Sequence, residues 1–156
     1  MADEAKPRII VAERISESAL ARLQAAGEVV MLDRPDEEQL AAEVAQADAL
    51  AVRTYVHVTA RVIEAAKKGG RLKVIGRGGV GVDNIDVAAA AAAGIVVVNT
   101  PAASTHAVAD LTVGLIIAVQ RKIAEFDPRV RRGEFATLRS EAPQTLELRH
   151  QTLASS

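Results

Sequence analysis

Residues 72–101 read LKVIGRGGVGVDNIDVAAAAAAGIVVVNTP. Leu72–Ile75 (LKVI) reads as a buried strand. Asp83 or Asp86 can cap a short alanine helix, Gly94 stops it, and Ile95–Val98 is a second buried strand that ends on Asn99, Thr100 and Pro101. A strand, a crossover helix and another apolar strand make a parallel βαβ unit. The glycine-rich loop between them brings backbone N–H groups and Arg77 to a strand's carboxyl end, where open α/β sheets bind small ligands.

The same alternation extends upstream. Arg8–Val11 (RIIV) is an apolar strand, and Ser16 caps a helix carrying Ala19, Leu20, Leu23 and Ala26 that Gly27 ends. Glu28–Leu32 is a strand, Asp36 caps a helix to about Gln46, and Ala49–Val52 is a strand. Thr59 caps a helix with Val62, Ile63 and Ala66 on one face, terminated by Gly69 and Gly70. The result is five βα steps in strict alternation. Right-handed crossovers and five strands favour an α/β, flavodoxin-like parallel sheet in the order 2-1-3-4-5, with helices on both faces.

Downstream the character changes. Ser104–Ile123 contains LTVGLIIAV, apolar nearly all round, as expected of a long C-terminal helix covered on several sides by another layer or a partner chain. Beyond Arg132 no period is sustained, and residues 133–156 read as a loosely ordered tail. The expected organisation is a binding domain over 6–101, an interdomain helix over 102–132 and that tail.

Composition narrows the function. The 156 residues are 49% apolar and 25% charged, with a net charge of −1, so nothing draws the chain to nucleic acid or to a membrane surface. It has no cysteine, which removes disulfides, thiolate chemistry and cysteine-ligated zinc. Aromatic residues make up only 2%, too few for a base-stacking platform. MADEAKPR lacks the apolar segment of a secretory signal, and the longest apolar run is too short to span a bilayer, so a cytoplasmic protein is expected.

Three polar residues stand at the carboxyl ends of consecutive expected strands: Arg53, Arg77 and Asn99. In a parallel sheet those ends share one edge. Gly78, Gly79 and Gly81 let the backbone approach a ligand closely. Two guanidinium groups, a backbone nest and an amide suit a small carboxylate or phosphate. Gly76, Gly78 and Gly81 also spell GxGxxG, but no acid ends the following strand and the helix starts after VDNID, so a complete dinucleotide site is not expected. His57, His106 and His150 form no Ser-His-Asp or metal-ligand spacing, and neither a catalytic residue nor a metal site is assigned. A phosphoacceptor receiver is excluded because Glu13, Arg53 and Asn99 occupy the places of its acidic cluster, aspartate and lysine.

The run GRGGVGVDNIDVAAAAAAGIVVVNTPAASTHAVADLTVGLIIAVQRKI, with VRTYVHVTARVIEAA upstream, resembles the D-isomer-specific 2-hydroxyacid dehydrogenases over roughly Arg8–Phe135. The resemblance implies NAD as cofactor and oxidation of a 2-hydroxy acid to a 2-oxo acid, with 3-phospho-D-glycerate in serine biosynthesis as the expected substrate. It places Arg53 and Asn99 in the substrate cleft and puts the backbone of Gly79, Val80 and Gly81 on the substrate carboxylate. Val80 is also placed against the cofactor, and Arg77 either orients the loop or meets the substrate phosphate. Ser104 onward becomes the helix crossing to a cofactor domain. After RRGEF the sequence departs from the family pattern, and the dinucleotide fingerprint with the catalytic arginine, glutamate and histidine does not follow. The expectation is therefore a truncated enzyme that binds a small anionic 2-hydroxy acid weakly and does not turn it over. The alternative is a non-catalytic module that binds small anions, or pairs with itself or another subunit through Ser104–Ile123.

Overall fold

Four helices of the chain begin on the same local device. In the computed structural model, which describes residues 6–141, 145, 147–149, 151 and 152, the side chains of Ser16, Asp36, Thr59 and Asp86 accept the backbone N–H groups of Ala19, Gln39, Val62 and Ala89. Each cap satisfies an amide that the helix itself leaves unpaired, a stabilisation of about 1 kcal/mol. The helices they start are α1 (Glu17–Ala26), α2 (Glu37–Val44), α3 (Ala60–Gly69) and α4 (Val87–Ala92). Gly70 closes α3 in the left-handed conformation at φ 70°, donating its N–H to Ala66.

These helices alternate with β1 (Arg8–Val11), β2 (Glu28–Met31), β3 (Ala49–Val52), β4 (Val74–Arg77) and β5 (Val96–Asn99). All pairings are parallel, and the order is β2-β1-β3-β4-β5. The flavodoxin-like arrangement expected from the alternation is the one observed. Two strands start later than their apolar runs suggest. Leu72 and Ile95 are buried, yet each lies before its ladder, so β4 reaches Arg77 and β5 reaches Asn99. Burial alone therefore misplaces the strand ends by one or two residues, and here those ends carry the site.

The core lies between the sheet and α2, α3 and α4. Leu50, Val52 and Ile75 from the strands meet Leu40, Val44, Val62, Ile63, Ala66 and Ala90, all almost fully buried. Burying each of the larger side chains contributes about 1.5–3 kcal/mol. The opposite face carries small residues at β3 and β4, Ala51 and Gly76, beside Ala19 and Leu23 of α1. Gly69 lets α3 sit hard against α2, since a Cβ there would lie 1.8 Å from the Ala45 carbonyl oxygen.

Residues from Thr105 onward form a second compact unit. Its helices are α5 (Thr105–Gln120), α6 (Ile123–Arg131) and α7 (Phe135–Glu141). Where the sequence suggests one helix running to Ile123, the chain turns at Lys122, which adopts a left-handed φ of 51°. Part of the expected tail is helical: Arg129 ties α6 to α7 through Glu134 and Glu141, each at 2.9 Å. The apolar side chains Leu111, Val113, Leu115 and Val119 of α5 are exposed in the single chain. No helix among the described residues is long and apolar enough to cross a membrane.

Candidate functional site

Parallel register sets Arg77 and Asn99 at one level of the sheet, with Arg53 one residue beyond it. Val52 pairs with Arg77, and Arg77 pairs with Asn99, so Arg53, Arg77 and Asn99 occupy consecutive strand ends on the carboxyl edge. The glycine loop after β4 is held against that edge at several points. Gly78 donates its N–H to Val52 O at 2.9 Å, Thr100 donates to Gly79 O at 3.0 Å, and Asn99 Nδ2 donates to Val80 O at 2.6 Å. Among the described residues the amides of Val80 and Gly81 have no hydrogen-bond partner, whereas that of Gly79 is engaged with Arg77 O at 2.9 Å. The loop thus offers two free donors, and the side chain of Val80 is exposed beside them.

Arg77 folds back over its own loop. A Cβ on Gly79 would lie 1.5 Å from Nη1 of Arg77, and the buried Nε of that guanidinium has no partner among the described residues. Glycine leaves this space to the arginine, whose guanidinium would have to swing aside for any side chain. Arg53 packs its Cγ beside Gly78, 3.4 Å from where a Cβ would stand, and its Nη1 donates to Arg14 O at 3.1 Å.

Arg53 also separates two clefts. One is largely apolar and lies over Ala51, Gly76 and Gly78 beside α1. The other is polar, lined by Glu13, Arg14, Asp33, Arg34 and Tyr55, with the Arg34 guanidinium 4.2 Å above the Tyr55 ring. The polar cleft sits beyond the ends of β1, β2 and β3, where the strand order reverses and open sheets form crevices.

Beneath Arg53 lies an arrangement that periodicity does not show. Glu13 is only 5% exposed, and its carboxylate accepts the N–H groups of Arg53, Thr54, Tyr55 and Val56. Burial works to raise its pKa, but the four backbone donors outweigh that and hold it below the usual glutamate value. Asn84, also buried, takes the other side of the same turn, donating to the carbonyls of Arg53 at 3.2 Å and Val56 at 2.8 Å. The available signal for Glu13 was its place two residues past β1, close to the strand-end position that singled out Arg53. Asn84 gave no comparable signal.

The remaining polar groups do not assemble into a centre. His57 and His106 are exposed, and His150 lies outside the described residues. No group of three metal-ligating side chains occurs among the described residues. The GxGxxG spelling does not make a dinucleotide site either. Gly76 lies inside β4, and α4 begins only at Val87, six residues long and already capped by Asp86, so no helix N-terminus faces the loop.

Comparison with known proteins shows the family. Residues 9–154 match the family described as D-isomer specific 2-hydroxyacid dehydrogenase, catalytic domain. The chain belongs to this family. It is 46% identical to D-3-phosphoglycerate dehydrogenase of Methanocaldococcus jannaschii over 128 residues, covering 82% of this chain and 24% of that one. It is 42% identical to the chloroplastic D-3-phosphoglycerate dehydrogenase 2 of Arabidopsis thaliana, covering 83% and 20%. The chain therefore spans a fifth to a quarter of the length of these curated relatives. Among solved structures it resembles an NADPH-dependent glyoxylate/hydroxypyruvate reductase of Sinorhizobium meliloti in complex with NADP and malonate, at TM-score 0.75 and 32% identity over 95% of this chain and 45% of that one. It also resembles the NAD+-bound 3-phosphoglycerate dehydrogenase of Entamoeba histolytica, at TM-score 0.63 and 32% identity over 76% and 40%.

Proposed function

We propose that this chain is the substrate-binding part of an NAD-dependent D-2-hydroxyacid dehydrogenase of the 3-phosphoglycerate type, and that its substrate is a small anionic 2-hydroxy acid. The observation that carries this is that Arg53, Arg77 and Asn99 close consecutive strands on the sheet edge whose loop carries the free amides of Val80 and Gly81. The substrate carboxylate takes the N–H groups of Val80 and Gly81 together with the Arg53 guanidinium, a charge-assisted set. Asn99 holds the loop in shape by bonding Val80 O. Arg77, with Nε unsatisfied, meets the phosphate at the other end of the substrate. Val80 is the residue placed against the cofactor, which supplies the hydride acceptor in the family's reaction. A cytoplasmic location and a place in serine biosynthesis are part of this proposal.

Turnover requires more than binding, because the C2 hydroxyl proton needs a base. Glu13 is the buried carboxylate beneath Arg53, and its oxygens are already taken by four amides. We therefore expect weak binding and no NAD reduction from these 156 residues alone. Titration of the 15N-labelled chain with D-3-phosphoglycerate tests the assignment. Saturable shifts at Val80 and Gly81, weakened about tenfold by Arg53→Ala, support it. Absence of any saturable shift, or NAD reduction by the purified chain, overturns it.

One observation favours a second role. The exposed apolar side chains of α5 form an association surface, and we infer self-association or pairing with another dehydrogenase subunit through Ser104–Ile123.

A further inference from the structure

Two oxygens of one side chain organise the turn that carries Arg53. Oε1 of Glu13 accepts the N–H of Arg53 at 2.8 Å and that of Val56 at 3.2 Å, while Oε2 accepts Thr54 at 3.2 Å. Tyr55 donates to both oxygens at 3.2 Å. Four successive amides can converge on one carboxylate only if the turn holds a single backbone shape. Asn84 fixes the carbonyl side of that shape through Arg53 O and Val56 O. The next residue along from Glu13 completes the hold, since the carbonyl of Arg14 accepts Nη1 of Arg53. Arg53 is thus fixed at its root by Glu13 and at its tip by the segment Glu13 belongs to.

We propose that Glu13 is a positioning residue of the anion site: its carboxylate, seated under the Arg53–Val56 turn, sets where the Arg53 side chain stands, with Cγ beside Gly78 and the guanidinium on the Arg14 carbonyl. It touches no ligand and acts only through Arg53. The chemistry of the carboxylate matters because it is the one side-chain type that accepts on two oxygens in a fixed plane and donates on neither. Glutamine, of equal size, turns two of the four amides toward an NH2 group and opens the turn. The depressed pKa of Glu13 keeps it in the accepting form across the neutral range. This inference rests on the anion-binding role proposed above for Arg53.

The test is a double-variant cycle on the 15N-labelled 156-residue chain, read as affinity for D-3-phosphoglycerate from the shifts of Val80 and Gly81. Glu13→Gln is expected to weaken binding about tenfold, as Arg53→Ala does, and the double variant to bind within about twofold of Arg53→Ala alone. A merely structural Glu13 gives a different result, with losses that add in the double variant and shifts that spread to the Leu50 and Ile75 amides in the core. If Glu13→Gln does not fold, Asn84→Ala replaces it in the same cycle with the same expectation. Binding by Glu13→Gln within about twofold of the unchanged chain, or additive losses, overturns the proposal and leaves the anion site standing. No binding by the unchanged chain overturns the anion site, and the positioning role falls with it.

Discussion

Asn99 at the end of β5 donates its side-chain N–H to the carbonyl of Val80, 2.6 Å away and 19 residues earlier in the chain. The loop that follows β4, which carries the free amides of Val80 and Gly81, is thereby held by the neighbouring strand. Asn99→Ala removes that hold. Binding of D-3-phosphoglycerate should weaken about tenfold, as expected for one lost hydrogen bond and a loosened loop, with little change in thermal stability because Asn99 is exposed. Calorimetric titration beside a melting curve separates the two effects.

Gly79→Ala tests the placement of Arg77. The added Cβ would stand 1.5 Å from Nη1 of that arginine, the far end of a flexible side chain, so the guanidinium moves and the backbone does not. The fold should persist while phosphate recognition suffers. The expected outcome is an unchanged melting temperature, with a greater loss of affinity for D-3-phosphoglycerate than for malonate in the same titration.

Gly69→Ala has the opposite character. Its Cβ would lie 1.8 Å from the backbone oxygen of Ala45, which cannot rotate away, so α2 and α3 must separate. Overpacking of this kind costs about 1–3 kcal/mol. Chemical denaturation should show the midpoint falling with little change in slope, and anion binding by the folded fraction should be retained.

Acid should destabilise the sheet-bearing unit through two carboxylates. Glu13 is held below its ordinary value of 4.5: burial raises its pKa, but the four backbone donors win. Asp48 is held below its ordinary value of 3.8 chiefly by the side chain of Arg71 and then by the amide of Arg8. A depressed folded pKa means stability that is present above the unfolded value and lost as pH falls through the folded one. Unfolding free energy should therefore show no loss from these two groups between neutral pH and about 5, then fall steadily below that. Glu13→Gln should flatten part of that slope, which denaturation series at several acid pH values will register.

Association through α5 is checked by size. At high concentration the chain should elute from a sizing column as a dimer or larger species, and Leu115→Glu should shift it toward the monomer. A monomeric unchanged chain at the same concentration would remove the association surface from the functional account.

Much of this molecule was legible in its residues because the signals were local. Ser16, Asp36, Thr59 and Asp86 announce helix starts through a contact only three residues long, and an apolar run announces a buried strand. Alternation of the two then fixes a parallel sheet. The strand ends at Arg77 and Asn99 were less legible, because Leu72 and Ile95 are buried without belonging to the ladder. Burial reports packing, whereas strand membership depends on which neighbour supplies the hydrogen bond.

By itself, then, the sequence determined the order of elements, the sheet's strand order and the family, all set by caps, periodicity and the glycine-rich run. Only the tertiary structure decided that Glu13 and Asn84, 40 and 31 residues from Arg53, grip the same turn from its two sides. It also decided that Arg77 lies over Gly79 and that α5 leaves its apolar side chains exposed. The reason is range: caps and periods act within one or two turns of chain, while a contact across 40 residues exists only once the parallel register has set the ends of β1 and β3 side by side.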